Sequence, residues 1–266
     1  MKKFIADIIE AVSEQFQYRE LLWQMTRRDI IIRYKQAAMG FGWAVFMPLI
    51  NTAVFSIIFT QVAKIDTPVA YPVYAYCGLL FWNFFSSSLR FSVTSLVSNI
   101  NLVTKIYFPR EIFPFSAVIV CLIDAFVGAV VLVVLMMYYH IGVGPSILLF
   151  PVVLLVHVAF TAAIALIIAM ANLFYRDVKY VFEFVLSIWM YLTPILYPLE
   201  EINEKYRLAF QLNPMTYIID AYHNVLLLNK PPEPISFVLT TIVSLGLFVV
   251  CWQIFHRTEF KFAENI

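Results

Sequence analysis

Six long apolar runs, separated by short polar breaks, set the plan of this chain. They cover residues 37–63, 71–98, 112–139, 146–174, 180–198 and 235–255, here TM1 to TM6. A helix rises 1.5 Å per residue, so a hydrocarbon core about 30 Å thick needs about 20 apolar residues. Every run reaches or nears that length. The pattern predicts an all-α membrane protein with six transmembrane helices. TM1 is uncharged, contains Pro48, which predicts a bend, and is closed by Lys64, Asp66 and Pro68.

The segments outside these runs have patterns of their own. Ile5, Ile8, Ile9, Val12 and Phe16 recur three or four apart, with Asp7, Glu10, Glu14 and Arg19 between them. That spacing predicts an N-terminal amphipathic helix over residues 1–22, too polar to span. Its mixed charge suits the membrane interface or a protein partner alike. Arg27, Arg28, Arg33 and Lys35 follow directly ahead of TM1. The breaks at 99–111, His140–Pro145 and Tyr175–Lys179 are short. Residues 199–233 are different. The apolar run Met215–Leu228 has only 14 residues and is interrupted by Asp220, His223 and Asn224. It predicts a re-entrant helical segment between TM5 and TM6.

Charge orients the spans. Six crossings put both termini on one face. Of the 18 Lys and Arg residues, thirteen then fall on that face and four on the other, with Arg90 inside TM2. The positive-inside rule makes residues 1–35 and the C-terminus cytoplasmic. Composition agrees: 62% of residues are hydrophobic and 13% charged, where soluble domains carry about 25% charged. A net charge of +1 gives no case for nucleic-acid binding. Cys77, Cys121 and Cys251 lie far apart in apolar runs and read as small buried hydrophobes. The seven glycines fit no G-x-x-x-x-G-K-[ST] loop, so no ATP hydrolysis is expected of this chain. No His, Cys and acid cluster has metal-ligand spacing.

Few residues carry candidate chemistry. Arg90 either snorkels, pairs with Glu183 or Asp124, or meets an anionic substrate. His157 reads as a helix–helix hydrogen bond rather than a proton relay. Aromatic residues make up 17% of the chain. They serve lipid-facing packing and interfacial belts, or line a pore in which sugar faces stack on rings. At 100° per residue, Phe41, Phe55 and Phe59 share one face of TM1, with Trp43 and Phe46 roughly opposite. In TM5, Phe182, Trp189 and Tyr197 share one side, and Phe184 and Tyr191 the other. Loop 99–111 is dense in Lys, Arg, Glu, Tyr and Phe, which suits a docking surface or a plain connector.

Several motifs, in order, resemble the permease subunits of ABC-2 type polysaccharide exporters, such as O-antigen, teichoic acid and capsule exporters. They are Arg28-Asp29, Arg33-Tyr34-Lys35-Gln36, Gly40, Trp43 and Pro48; then Tyr175-Arg176-Asp177-Val178; then Thr193-Pro194-Ile195-Leu196-Tyr197-Pro198 and Leu212-Asn213-Pro214-Met215. The chain departs from the family's Thr-x-Leu-Gly with Ala37-Ala38-Met39-Gly40. The resemblance implies an inner-membrane homodimer and a separate cytoplasmic ATPase subunit that binds ATP and Mg. It makes loop 99–111 the coupling element, through Asn101, Lys105, Tyr107, Phe108, Arg110 and Glu111. It makes TM1 and TM5 the channel wall, through Phe41, Trp43, Phe55 and Phe59, and through Phe182, Trp189, Tyr191 and Tyr197. Residues 199–233 would form the outer exit, and the substrate would be a lipid-linked glycan. Arg28, Arg33, Lys35, Arg90 and Arg176 then form a cytoplasmic rim that meets the anionic headgroup or the ATPase. Three alternatives stay open: an ABC-2 permease for drugs or lipids, an intramembrane glycan-lipid enzyme using Glu183 and Asp177, and a gated channel.

Overall fold

The computed structural model describes residues 11–35, 40, 42–58, 67–105 and 108–262. Residues 1–10, Ala37 to Met39, Phe41, Phe59 and Tyr107 lie outside it, as does the side chain of Lys105. Among the described residues all regular structure is helical. After a helical stretch at 11–17 come α1 (Arg19–Tyr34), α2 (Gly42–Ile57), α3 (Tyr71–Ser98), α4 (Ile100–Lys105) and α5 (Ile112–Tyr138). A 3-10 turn, Pro145–Leu149, leads into α6 (Phe150–Phe174). Then follow α7 (Val178–Tyr191), α8 (Glu204–Gln211), α9 (Pro214–Tyr222) and α10 (Pro234–Thr258).

Local sequence explains most helix ends. A proline occupies the first turn of α3, α6, α9 and α10, where its missing N–H costs no hydrogen bond. Asn203 and Asn213 cap α8 and α9, each accepting a backbone N–H two residues on. One end differs from the expected span. The helix of TM5 stops at Tyr191, not Pro198, because the residue before Pro194 is driven out of the α region. Among the described residues, three helical stretches are long and apolar enough to cross a membrane: Ile112–Tyr138, Pro145–Phe174 and Pro234–Thr258. The described part of TM1 is shorter, and Pro48 lies inside it. The helix α3 has ample length at 28 residues, but Asn83, three consecutive serines and Arg90 dilute its apolar character.

The core is built around α3, which packs against α2, α5, α6 and α7. Tyr76 Oη donates to the Gly128 carbonyl of α5 at 2.9 Å, and Asn172 of α6 donates to the Val93 carbonyl at 2.7 Å. Gly78 allows a close backbone approach. A Cβ there would sit 2.4 Å from the Ile195 carbonyl, in the turn that follows α7. The segment after α9, His223–Leu227, forms a π-turn that is buried deeply at His223. Tyr222 stacks on Phe81 at 3.4 Å, and His223 stacks on Tyr74 at 3.9 Å. A second, smaller apolar cluster lies at one end. There Leu96, Val103, Phe108, Ile112, Leu173, Phe255 and Phe262 meet, with Leu21, Leu22 and Met25 of α1 packed on them.

Candidate functional site

The helix α1 is attached to α5 by polar contacts at two levels. Ser116 Oγ donates to the Asp29 carboxylate. About two turns further along α5, Asp124 pairs with Arg33 at 2.6 Å and accepts from the Tyr34 hydroxyl. The Arg33 guanidinium also lies over the Phe91 ring of α3, 4.3 Å from its centre. A carboxylate and a ring face hold this cation, with the Cys121 sulfur and the Tyr34 ring nearby, which suits a delocalised, weakly hydrated guanidinium.

Arg33 and its neighbours separate two cavities. The first, about 410 Å³, lies between α2, α3 and α5. Trp43, Met47, Pro48 and Phe84 give it apolar surface, and Asn51, Asn83, Ser87 and Asp124 polar groups. The second, about 400 Å³, lies between α1, α3 and α5 and carries Arg28, Asp29, Phe91, Thr94, Ser95 and Ser98. Both fall within the usual size of ligand pockets. Aromatic rings mixed with amides and hydroxyls make a lining that accepts an amphipathic, hydroxyl-rich guest: rings cover C–H faces while polar groups exchange hydrogen bonds. Sequence reasoning missed this lining, although a signal was present. Leu80, Asn83, Phe84, Ser87, Phe91, Thr94, Ser95 and Ser98 recur three or four apart, tracing one stripe along α3.

Three of the predicted rim cations are ion-paired within the chain. Arg28 is bonded to Asp29 at 2.7 Å, Arg33 to Asp124, and Arg90 to Glu183 at 3.0 Å. The expected Arg90–Glu183 pairing is therefore present, and it joins α3 to α7. Lys35 and Arg176 stand exposed. His157 Nδ1 lies 3.3 Å from the Tyr222 hydroxyl, a buried link between α6 and α9.

The two aromatic sides of α7 separate cleanly. Phe182 is buried, and Trp189 is half-buried, edge-on to Phe85 at 5.1 Å. The Trp189 indole donates to Asn213 Oδ1 at 2.9 Å. Asn213 in turn donates to the Leu192 carbonyl and the Thr193 hydroxyl. The Leu-Asn-Pro-Met motif is thus a clasp that fixes α9 to the end of α7. Tyr197 is half-buried and donates to the Tyr191 carbonyl. Phe184 and Tyr191 point outward, 68% and 77% exposed. On α2, Phe55 is half-buried against the core, while Trp43 and Phe46 are exposed.

Segment 99–111 divides as well. Asn101 is exposed on the short helix α4. Phe108, Arg110 and Glu111 are buried in the end cluster. The Arg110 guanidinium donates to the Val103 carbonyl, closing the segment on itself, and its backbone N–H donates to Glu259 at 3.1 Å. His256 of α10 bonds Glu111 at 3.1 Å. Burial, and then the Glu111 carboxylate beside it, push the Glu259 carboxyl up to about 7. This segment therefore rests on the C-terminal end of the chain.

Among the described residues, helices long and apolar enough to cross a membrane pack with two cavities of mixed polar and apolar lining. Residues 20–227 match the ABC-2 type transporter family, and the chain belongs to it. It is 31% identical over 263 residues to an O-antigen export system permease protein RfbA of Myxococcus xanthus, covering 97% of this chain and 100% of that one. It is also 31% identical, over 251 residues, to a protein of the same name from Klebsiella pneumoniae, covering 92% and 94%.

Proposed function

We propose that this chain is the inner-membrane permease of an exporter for a lipid-linked, O-antigen-like polysaccharide. The observation that carries this reading is the end-to-end similarity to the Myxococcus export permease. In this reading the chain crosses the membrane six times with both termini cytoplasmic. It pairs with a second copy and is driven by a separate ATPase that binds ATP and Mg. The outward aromatic side chains Phe184 and Tyr191 of α7 are not covered by the described residues of their own chain, which supports a place for them along the path between two copies, while the part-exposed Trp43 of α2 lines the first cavity. Phe182, Trp189 and Phe55 support that wall from behind, and residues 199–233 re-enter at the outer exit. ATP binding by the partner would push on α4. That short helix joins α3 to α5, and α5 holds Arg33 through Asp124, so the push reaches the partition between the two cavities. Lys35 and Arg176 remain as cations for an anionic headgroup.

The test is reconstitution. The permease, co-purified with the ATPase encoded beside it, is placed in vesicles with lipid-linked glycan on the ATPase side. ATP-dependent appearance of the glycan to a lectin on the far side is expected. Turnover stimulated by drug-like lipids but not by glycan, with no glycan movement, would replace this reading with a drug or lipid permease. Glycan movement without ATP would favour a gated channel.

A further inference from the structure

Three segments far apart in sequence bring acidic groups to one buried place. Glu14 comes from the helical stretch at 11–17, Glu111 from the start of α5, and His256 and Glu259 from the end of α10. Donor atoms of Glu14, His256 and Glu259 lie within 4.8 Å of one another. Glu111 belongs to the same cluster, because its Oε1 is 3.1 Å from His256 Nδ1, while Glu259 Oε1 lies 3.7 Å from that nitrogen. Glu111 is fully buried, yet its Oε2 has no hydrogen-bond partner among the described residues. A buried carboxylate oxygen without a donor is costly.

Three carboxylates thus gather around one imidazole, and the Arg110 guanidinium next to Glu111 is turned to the Val103 carbonyl. The geometry points to a divalent transition-metal site at Glu14, Glu111, His256 and Glu259. One imidazole with several carboxylates is a donor set for Zn²⁺ or Mn²⁺ rather than for Mg²⁺, which holds most of its waters. Tetrahedral Zn²⁺ sets its donors about 3.4 Å apart, so closing this cluster takes side-chain rotations of about 1 Å. A bound ion would tie the N-terminal helix and the C-terminal end to the base of segment 99–111. If that segment couples to an ATPase, loading would stiffen it, but metal binding stands without that role.

The test uses the purified full-length permease, stripped with a chelator. Calorimetry with Zn²⁺ and with Mn²⁺ is expected to give one saturable site per chain for at least one of them. Affinity should fall at least tenfold in Glu14→Gln, His256→Ala and Glu259→Gln. Glu14→Gln lies on a partly exposed helix and should fold normally, so it keeps the test decisive if the buried variants misfold. Metal addition should also raise the melting temperature of the wild type and not of Glu14→Gln. No saturable binding of either ion, or wild-type affinity in Glu14→Gln, overturns the site. Export activity is not part of the readout, so failure here leaves the proposed function untouched.

Discussion

The helices α3 and α7 are both rich in aromatic residues, and the fold uses them in opposite ways. From Val73 to Phe85 nearly every side chain of α3 is buried, including Tyr74, Tyr76, Phe81, Trp82 and Phe84. On α7 the buried residues are Phe182 and Leu186. In a membrane protein this contrast is not one of hydrophobicity, because lipid is as apolar as a ring. Association there rests on close packing and on satisfied polar groups. The interior position of α3 follows from its small and polar residues. Gly78 admits the Ile195 carbonyl, and Val93 offers a backbone carbonyl to Asn172. No such device lines the outer side of α7, so that side is left for something else.

That comparison breaks most sharply at Gly78. In Gly78→Val a methyl-bearing carbon is forced against a backbone oxygen that cannot rotate away. Overpacking of about 3 kcal/mol is expected, seen as loss of the monodisperse peak or a large fall in melting temperature in detergent. Normal stability would mean that α3 is not closely held.

The next effect concerns charge rather than volume. Asp124→Ala leaves Arg33 partly buried without its carboxylate, an expected loss of about 2 kcal/mol, less than for a fully enclosed pair. The double variant with Arg33→Gln should recover part of it. A thermal melt of the four-member cycle reads the coupling, and zero coupling would remove Arg33 as the partition between the cavities.

Two positions apart on α7, Phe182→Ala and Phe184→Ala should differ. The first opens a cavity in the core at a cost of about 2 kcal/mol. The second should leave the melting temperature within about 0.5 kcal/mol equivalent. In the exporter reading it should nevertheless slow glycan transfer. Equal stability effects would erase the distinction between the two sides of α7.

Smallest of all is Glu183→Gln. The Arg90–Glu183 pair that joins the compared helices is about half exposed on both sides, so its loss should cost less than about 1 kcal/mol. A larger loss would show that α7 depends on this pair more than on Phe182 and Leu186.

Much of the fold was legible in the sequence. The expected span 71–98 coincides with α3, and 112–139 nearly coincides with α5. Long apolar runs and proline-marked starts are local signals, and helices are local structures. Pro194 also announced the early end of α7, but the apolar run continued past it and masked the stop. Glu183 was one of two partners, with Asp124, that the sequence offered for Arg90, because few charges occur within spans. The pairing of Asp124 with Arg33 and Tyr34 was not foreseen. Phe108, Arg110 and Glu111 looked like a docking surface because polar and aromatic density has the same composition in an interface and in a buried network. Their partners, Glu259 and His256, lie about 145 to 149 positions away in sequence.

The sequence alone determined which segments are helical, where most of them begin, and which family the chain resembles. These follow from spacing, chain stiffness and residue type, all of which act over a few positions. The tertiary structure decided which aromatic side of α7 faces outward, which cations are already paired, and that four acidic or imidazole groups from three segments meet at one buried point. Those outcomes depend on how helices lie against one another. Ring and charge energies change with the neighbour supplied by a distant part of the chain, and no local pattern carries that information.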